Sequence, residues 1–345
     1  QLAAPDGETV VSCHFTYKGL GYPLGALHTY ANYTHCIQAL IGRYATTGNV
    51  VHLLGLPIYP VYSLLAAVMA PLAIGARLLI IHKIAKADLL DLLVRHQVRV
   101  VCMVPMLFAP LVMGAEANPE MKKKLHPDLV LSSGGTHLSE ELTHAVIAAL
   151  GIEPYQGYGL TETLPVVANH ADRNLPGSLG VPLSDRIHIR IVDADGNEVP
   201  NGRFGEITVS GPTLMSGFIK RPKETAQFMR NGWFHTGDLG HIDSDGFLHF
   251  HGRSGPFTKV MAQMVDLVEI EQLLRSHPQV SDAKVTVTSG QLTGERLSVS
   301  VITKADATLD TNGVIEFCKA HLSPHKVPRK VMLYRRQILV QPRGQ

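Results

Sequence analysis

The sequence predicts an α/β protein: layered sheets, largely parallel βαβ units followed by antiparallel hairpins, form a larger domain over residues 1–252, and a small α+β domain follows over 253–345. Three observations lead there. Short apolar β-type runs alternate with helical ones from residue 49 to 157, the rhythm of a parallel sheet. After Pro176 the pattern becomes two-residue alternation broken by the turn dipeptides Asp195-Gly196 and Asp245-Gly246. Beyond Arg253 helix and strand patterns mix within a length that suits one small domain.

Taken in order, residues 50–54 read as a strand, a helix starts at Tyr62, and 76–81 read as the next strand. A helix over 88–96 and strands over 98–104 and 129–132 follow. The runs VRVVCMVP and LVLSSGG are continuous and apolar, as strands covered on both faces must be. IHIRIVDADGNEVP, GRFGEITVSG and IDSDGFLHFHGR alternate and turn as antiparallel hairpins do. The last part reads as a helix at 267–276, strands at 283–288 and 296–303, and a helix at 312–321. Residues 53–81 carry one charge, Arg77, and match a membrane span in length. Pro57, Pro60, Pro71 and Gly75 instead divide them into a loop, a buried helix and a strand, so no transmembrane segment is expected.

With 345 residues, 45% hydrophobic and 17% charged, the chain can bury more than one core organises, which favours two domains. A net charge of +2 leaves no basic face for nucleic acid, and Lys122-Lys123-Lys124, the longest cationic run, is expected at a solvated helix end. Cys13, Cys36, Cys102 and Cys318 form no C-x-x-C pair, which fits a reducing cytoplasm. The eighteen histidines show no H-E-x-x-H spacing. The sequence begins with Gln and carries no basic-then-apolar leader, so no signal peptide is expected within it.

Chemistry concentrates at Gly157-Tyr158-Gly159-Leu160-Thr161-Glu162-Thr163. The glycines let backbone approach a ligand closely, Tyr158 offers a flat face, Thr161 can bond a phosphate oxygen and Glu162 can hold Mg²⁺. On the residues alone, a plain polar turn is an equal alternative. This segment resembles the adenine- and magnesium-binding signature of the ANL superfamily of adenylate-forming enzymes, which contains acyl-CoA synthetases, peptide-synthetase adenylation domains and luciferases. Five other stretches are similar to that family's signatures: SSGGTHLS at 132–139, PGSLGVPL at 176–183, GEITVSGPTLMSGF at 205–218, NGWFHTGDLG at 231–240 and HGRSGPFTKVMAQMVDLVEIE at 251–271. Together the six stand in the family's order and cover nearly the whole chain.

The resemblance implies ATP-dependent activation of a carboxylic acid to an acyl-adenylate, then thioester formation with CoA. The small domain is then a lid that rotates near residues 252–256. Asp238 and Arg253 would grip the ribose, as a carboxylate accepts two hydroxyl protons and a guanidinium donates along the same edge. Their alternative is an ordinary surface ion pair. Gly134, Gly135, Gly157, Tyr158 and Gly159 would surround the adenine. Thr161 and Glu162 would serve catalysis, with Glu162 on Mg²⁺. Tyr59, Gly134 and Gly157 would line an apolar pocket for a fatty or aromatic acid, and Lys259 would face CoA. FTYKGLGYPLGALHTY at 15–30 sits where the family has its phosphate loop. Thr16, Gly19 and Gly21 keep a nest of hydroxyl and N–H groups there, with Lys18 as a displaced cation.

Several positions depart from the pattern. Leu24 stands where the family has a lysine, Pro60 where it has a histidine, and Gly255-Pro256 and Met261-Ala262 replace the hinge's charged pivot and glycine pair. Gln345 occupies the place of the late lysine that bridges carboxylate and α-phosphate. A neutral amide there would slow adenylation. Two other readings therefore stand beside the ligase: a degenerate relative that binds nucleotide or acyl-adenylate with weak or no turnover, and an adenylation domain serving a carrier protein. Relative to the family, an upstream segment of the large domain is missing from this sequence, which is either a fragment or a naturally short relative; a fragment is expected to show an unpaired apolar sheet edge and to associate, and a homodimer is left open.

Overall fold

The computed structural model of the chain describes residues 5–44, 48–82, 88–255, 257–261, 263–290 and 294–335. By its contacts the chain divides into two units, residues 1–16 with 24–254 and residues 17–23 with 255–345. Among the described residues no helix is long and apolar enough to cross a membrane.

The first unit opens with strands β1 (Val10–Tyr17) and β2 (Pro23–Thr29) and helix α1 (Tyr30–Tyr44), for which the sequence reading had no elements. Thr29 and Asn32 start α1 by bonding each other's backbone N–H, at 2.8 and 3.3 Å, a reciprocal cap. Strand β3 (Val51–Leu54) follows. The helix expected from Tyr62 forms as a π-helix at Ser63–Met69 that runs into α2 (Ala70–Ala73), and β4 (Arg77–Ile80) follows it. Next come α3 (Leu89–Arg95), capped by Asp88, and β5 (Val98–Met103). The chain then forms α4 (Phe108–Ala117), α5 (Pro119–Lys122) and β6 (Val130–Ser133). Helix α6 (Glu140–Leu150) begins on the Ser139 hydroxyl and stops at Gly151, whose φ of 72° is left-handed. The run Lys122-Lys123-Lys124 stands at the end of α5 as expected, with Lys123 and Lys124 exposed, while the Lys122 ammonium also donates to the Ala149 carbonyl at 2.7 Å at the end of α6.

Strands β7 (Tyr155–Leu160), β8 (Leu164–Ala168) and β9 (Val181–Pro182) complete a seven-stranded sheet in the order β4-β3-β5-β6-β7-β8-β9. Pairing is parallel up to β7 and antiparallel beyond it. Leu53, Val101, Met103 and Leu131 feed one core, whereas Leu54, Val100, Cys102 and Val130 feed another. Successive side chains point to opposite faces, so these continuous apolar runs are what a sheet buried on both sides needs.

The remainder of this unit is antiparallel: β10 (His188–Val192), β11 (Gly205–Ser210), β12 (Gly217–Phe218), α7 (Pro222–Phe228), β13 (Met229–Arg230), β14 (Trp233–Ile242) and β15 (Leu248–Arg253). Five of these strands form a sheet ordered β10-β11-β14-β13 with β15 on β14, while β12 joins β2 and β1. Gly196 and Gly246 turn at φ 85° and 84° where the Asp-Gly dipeptides placed hairpin bends.

The second unit holds the hairpin β16 (Phe257–Val260) and β17 (Gln263–Asp266), then α8 (Leu267–Ser276), β18 (Val280–Gly290), β19 (Gly294–Thr303), α9 (Thr311–His321) and β20 (Lys330–Arg335). Val265, Ile270, Val285, Val299 and Val314 make its core. Asp266 caps α8 through the N–H groups of Val268 and Glu269, and its other oxygen accepts from the Gly21 N–H at 2.8 Å. An ion pair joins the buried Lys326 to the partly exposed Glu269, with the Lys326 ammonium also 4.2 Å from the Tyr17 ring.

Candidate active site

GYGLTET is not a free polar turn: its first four residues are the end of β7, and residues 161–163 form the bend into β8. The glycines are needed for that hairpin itself. A Cβ at Gly159 would stand 2.3 Å from the Leu164 carbonyl oxygen, and one at Gly157 would stand 3.1 Å from that of Val167. Backbone cannot yield as a flexible side chain does, so close strand approach demands glycine here. Thr163, fully buried, accepts from the Leu160 N–H at 3.0 Å through its hydroxyl. Leu164 then takes φ 57° while fully buried, a strained conformation for a side chain of this kind. The bend holds Glu162 at 1% exposure, with its backbone carbonyl accepting from Met215 N–H at 2.8 Å.

Tyr158, Asp238 and Arg253 converge. Asp238 on β14 faces Arg253 on β15 in register, beside an irregularity between Leu239 and Gly240. The Arg253 Nε lies 3.1 Å from Asp238 Oδ1, and the Tyr158 hydroxyl donates to Asp238 Oδ2 at 2.8 Å. Burial, then the charge of Asp238, pushes the Tyr158 phenol well above its ordinary range, so it remains a donor. Asp238 has no exposed surface, which excludes the surface-ion-pair alternative. Its Oδ1 is close to Arg253 Nε but makes no hydrogen bond among the described residues, so a buried carboxylate oxygen keeps acceptor capacity. That capacity fits a ribose diol, since each hydroxyl can donate one proton. Thr236, buried beside it, accepts from the Asp238 N–H at 3.0 Å and holds the strand.

Gly134 follows β6, and its N–H reaches the Met103 carbonyl at 3.1 Å, while Gly135 turns at φ 85°. The Tyr62 ring lies over Gly134 so closely that a Cβ there would be 2.7 Å from Cε2 and Cζ. The Tyr62 and Ser132 hydroxyls are 3.0 Å apart. Tyr59 is 59% exposed.

Thr16 is buried with no hydrogen-bond partner for its hydroxyl among the described residues. Lys18, Gly19 and Gly21 group with the second unit, and Lys18 is buried there. Leu24, at the family's lysine position, is 1% exposed and belongs to the core. Lys259 pairs with Met264 across β16 and β17. Gln345, Pro256 and Ala262 lie outside the described residues. The sequence reading missed His28, whose Nε2 is 2.7 Å from the Thr161 carbonyl oxygen, and Asn169, whose amide spans the carbonyls of Gln156 and Ser178. No local pattern marks either.

A family model described as AMP-binding enzyme matches residues 20–219, and one described as AMP-binding enzyme C-terminal domain matches 269–338. The chain is 30% identical over 331 residues to a long-chain-fatty-acid–CoA ligase of Escherichia coli O6:H1, covering 94% of this chain and 58% of that protein. It is also 30% identical over 344 residues to 4-coumarate–CoA ligase 1 of Arabidopsis thaliana, covering 95% and 59%. The chain thus spans under two thirds of the length of these relatives. Among solved structures, a malonyl-CoA ligase in a ternary product complex with methylmalonyl-CoA and AMP matches with TM-score 0.86 and 28% identity, over 99% of this chain and 74% of that one. The amide bond synthetase McbA from Marinactinospora thermotolerans matches with TM-score 0.83 and 27% identity, over 96% and 66%.

Proposed function

Because the chain belongs to the AMP-binding enzyme family, we propose that it activates a carboxylic acid with ATP to an acyl-adenylate and passes the acyl group to CoA. The observation that carries this is the buried Asp238, clasped by Arg253 and Tyr158 yet retaining an acceptor oxygen. A carboxylate is a poor electrophile, and attack of its oxygen on the α-phosphate converts it into a mixed anhydride with pyrophosphate as leaving group. Such a transfer calls for positioning and charge stabilisation rather than a protein nucleophile. Asp238 and Arg253 would hold the ribose, Tyr158 the base, and Gly134, Gly135, Gly157 and Gly159 the backbone around it. Lys18 with Thr16, Gly19 and Gly21 would bind the leaving pyrophosphate.

Thr161 and Glu162 present hard oxygen donors of the type Mg²⁺ prefers; the ion would supply neutralisation of phosphate charge. Tyr59, Gly134 and Gly157 would border the acyl group, and the apolar character of that segment supports a fatty or aromatic acid. Lys259 would face CoA, and residues 255–345 would act as the lid. The CoA-ligase relatives support CoA as acceptor. The free cysteines, three of them buried, fit a reducing cytoplasm.

A second reading is a nucleotide-binding relative with weak or no turnover. It is favoured by the burial of Leu24, which puts a core side chain where the family has a cation. Carboxylate-dependent exchange of pyrophosphate into ATP, run across a panel of acids with and without CoA, separates the two. Exchange with at least one acid supports the ligase; ATP binding without exchange for any acid supports the second reading.

A further inference from the structure

We infer that His28 and His14 are a pair of positioning residues for the proposed reaction, His28 fixing the Thr161-Glu162 bend and His14 fixing the carbonyl of Tyr59. The inference rests on the functional reading above. His28 lies on β2 with no exposed surface, and its Nε2 sits 2.7 Å from the Thr161 carbonyl oxygen. A carbonyl only accepts, so Nε2 carries the proton and Nδ1 presents a bare lone pair. That Nδ1 is buried with no hydrogen-bond partner among the described residues. An apolar residue of similar size would avoid the cost of burying it, so what the ring contributes is its bond to the bend, made across 133 positions of sequence.

His14 stands beside it on β1, with ring centroids 6.3 Å apart. Its ring donates to the backbone of Tyr59, and its Nε2 lies 2.6 Å from the Tyr33 hydroxyl. Tyr33 also packs 6.2 Å from His28, so the three rings form one block. Burial lowers the pKa of both histidines, that of His28 to about 4 with His14 adding to the effect. Both rings therefore act as uncharged donors at neutral pH. One end of the block holds the bend that carries Glu162, and the other holds the segment assigned to the acyl side. Neither histidine needs to touch substrate.

The test uses the full chain with His28→Phe, His28→Gln and His14→Phe. In pyrophosphate exchange, His28→Phe should raise KM for ATP–Mg²⁺ roughly tenfold while KM for the acid stays within about twofold, as loss of a hydrogen bond to a buried carbonyl predicts. His14→Phe should do the reverse, and His28→Gln, whose amide can still donate, should recover most of the loss. Amide hydrogen exchange gives a readout that needs no turnover. His28→Phe should loosen peptides over 158–164 but not 55–60, and His14→Phe should loosen 55–60 but not 158–164. Segments unaffected in both variants, or loosened alike by each, would overturn the brace. A wild-type chain that exchanges no pyrophosphate with any acid would overturn the ligase reading instead, while the hydrogen-exchange result still decides the brace.

Discussion

Two ion pairs, one in each unit and each with one buried partner, are closed to different degrees. In the second unit Lys326 donates to both oxygens of Glu269, at 2.9 and 2.7 Å, and to the Tyr17 hydroxyl at 3.1 Å, while that hydroxyl donates to Glu269 at 3.3 Å. Burial alone would lower the pKa of Lys326, but its bonds to Glu269 and Tyr17 outweigh burial and raise it. Every strong donor and acceptor in that triangle is occupied. In the first unit Asp238 is more deeply buried, yet among the described residues Oδ1 is served by a neighbouring charge and not by a hydrogen bond. A closed pair contributes to a fold, whereas a buried acceptor left open is a cost that a ligand removes.

The largest expected effect breaks the open pair. Asp238→Asn should weaken AMP binding about a hundredfold in titration calorimetry, because Arg253 loses its counter-charge and the diol loses its acceptor. Unchanged affinity would mean that Oδ1 is not a ligand site. Breaking the closed pair should act on stability instead: Lys326→Met should cost about 3 kcal/mol in denaturant unfolding, with AMP affinity nearly constant. Replacing both partners, Lys326→Met with Glu269→Met, should restore most of that loss, since no uncompensated buried charge remains.

Two buried histidines extend the comparison to groups that stay uncharged. Burial lowers the pKa of both His28 and His52 to about 4. The unfolded chain takes up protons below its ordinary value near 6.5, while the folded chain resists them down to about 4. Stability from these rings is therefore full above pH 6.5 and is lost as pH falls toward 4. His28 closes one nitrogen on Thr161, whereas both nitrogens of His52 lack a hydrogen-bond partner among the described residues. His52→Leu should accordingly stabilise the chain, by about 2 kcal/mol more at pH 5 than at pH 7.5. The smallest effect belongs to Tyr158→Phe, which removes one donor from Asp238 and keeps the ring. AMP affinity should change by no more than about fivefold, and a larger loss would give the hydroxyl a direct part in binding.

Much of the parallel sheet was legible because its runs from 50–54 to 129–132 are apolar on both faces and separated by helical spacing. The helix at 267–276 was legible to the residue, since Asp266 caps it and a polar stretch follows. Helix α1 escaped notice, although its reciprocal Thr29 and Asn32 cap is local. The π-helix at Ser63–Met69 gives no sequence signal of its own that would separate it from an α-helix.

At the candidate site the sequence by itself determined the chemical types and their order: glycines around Tyr158, then Thr161 and Glu162, with Asp238 and Arg253 far downstream. The tertiary structure decided what each does to its neighbours. Gly159 is required because the Leu164 carbonyl lies against it, Tyr158 meets Asp238 across 80 positions, and His28 reaches Thr161 across 133. Period, composition and capping are properties of neighbouring residues and can be read along the chain. Whether a buried carboxylate keeps a spare oxygen depends on donors brought from distant strands, and only packing determines which of them arrive.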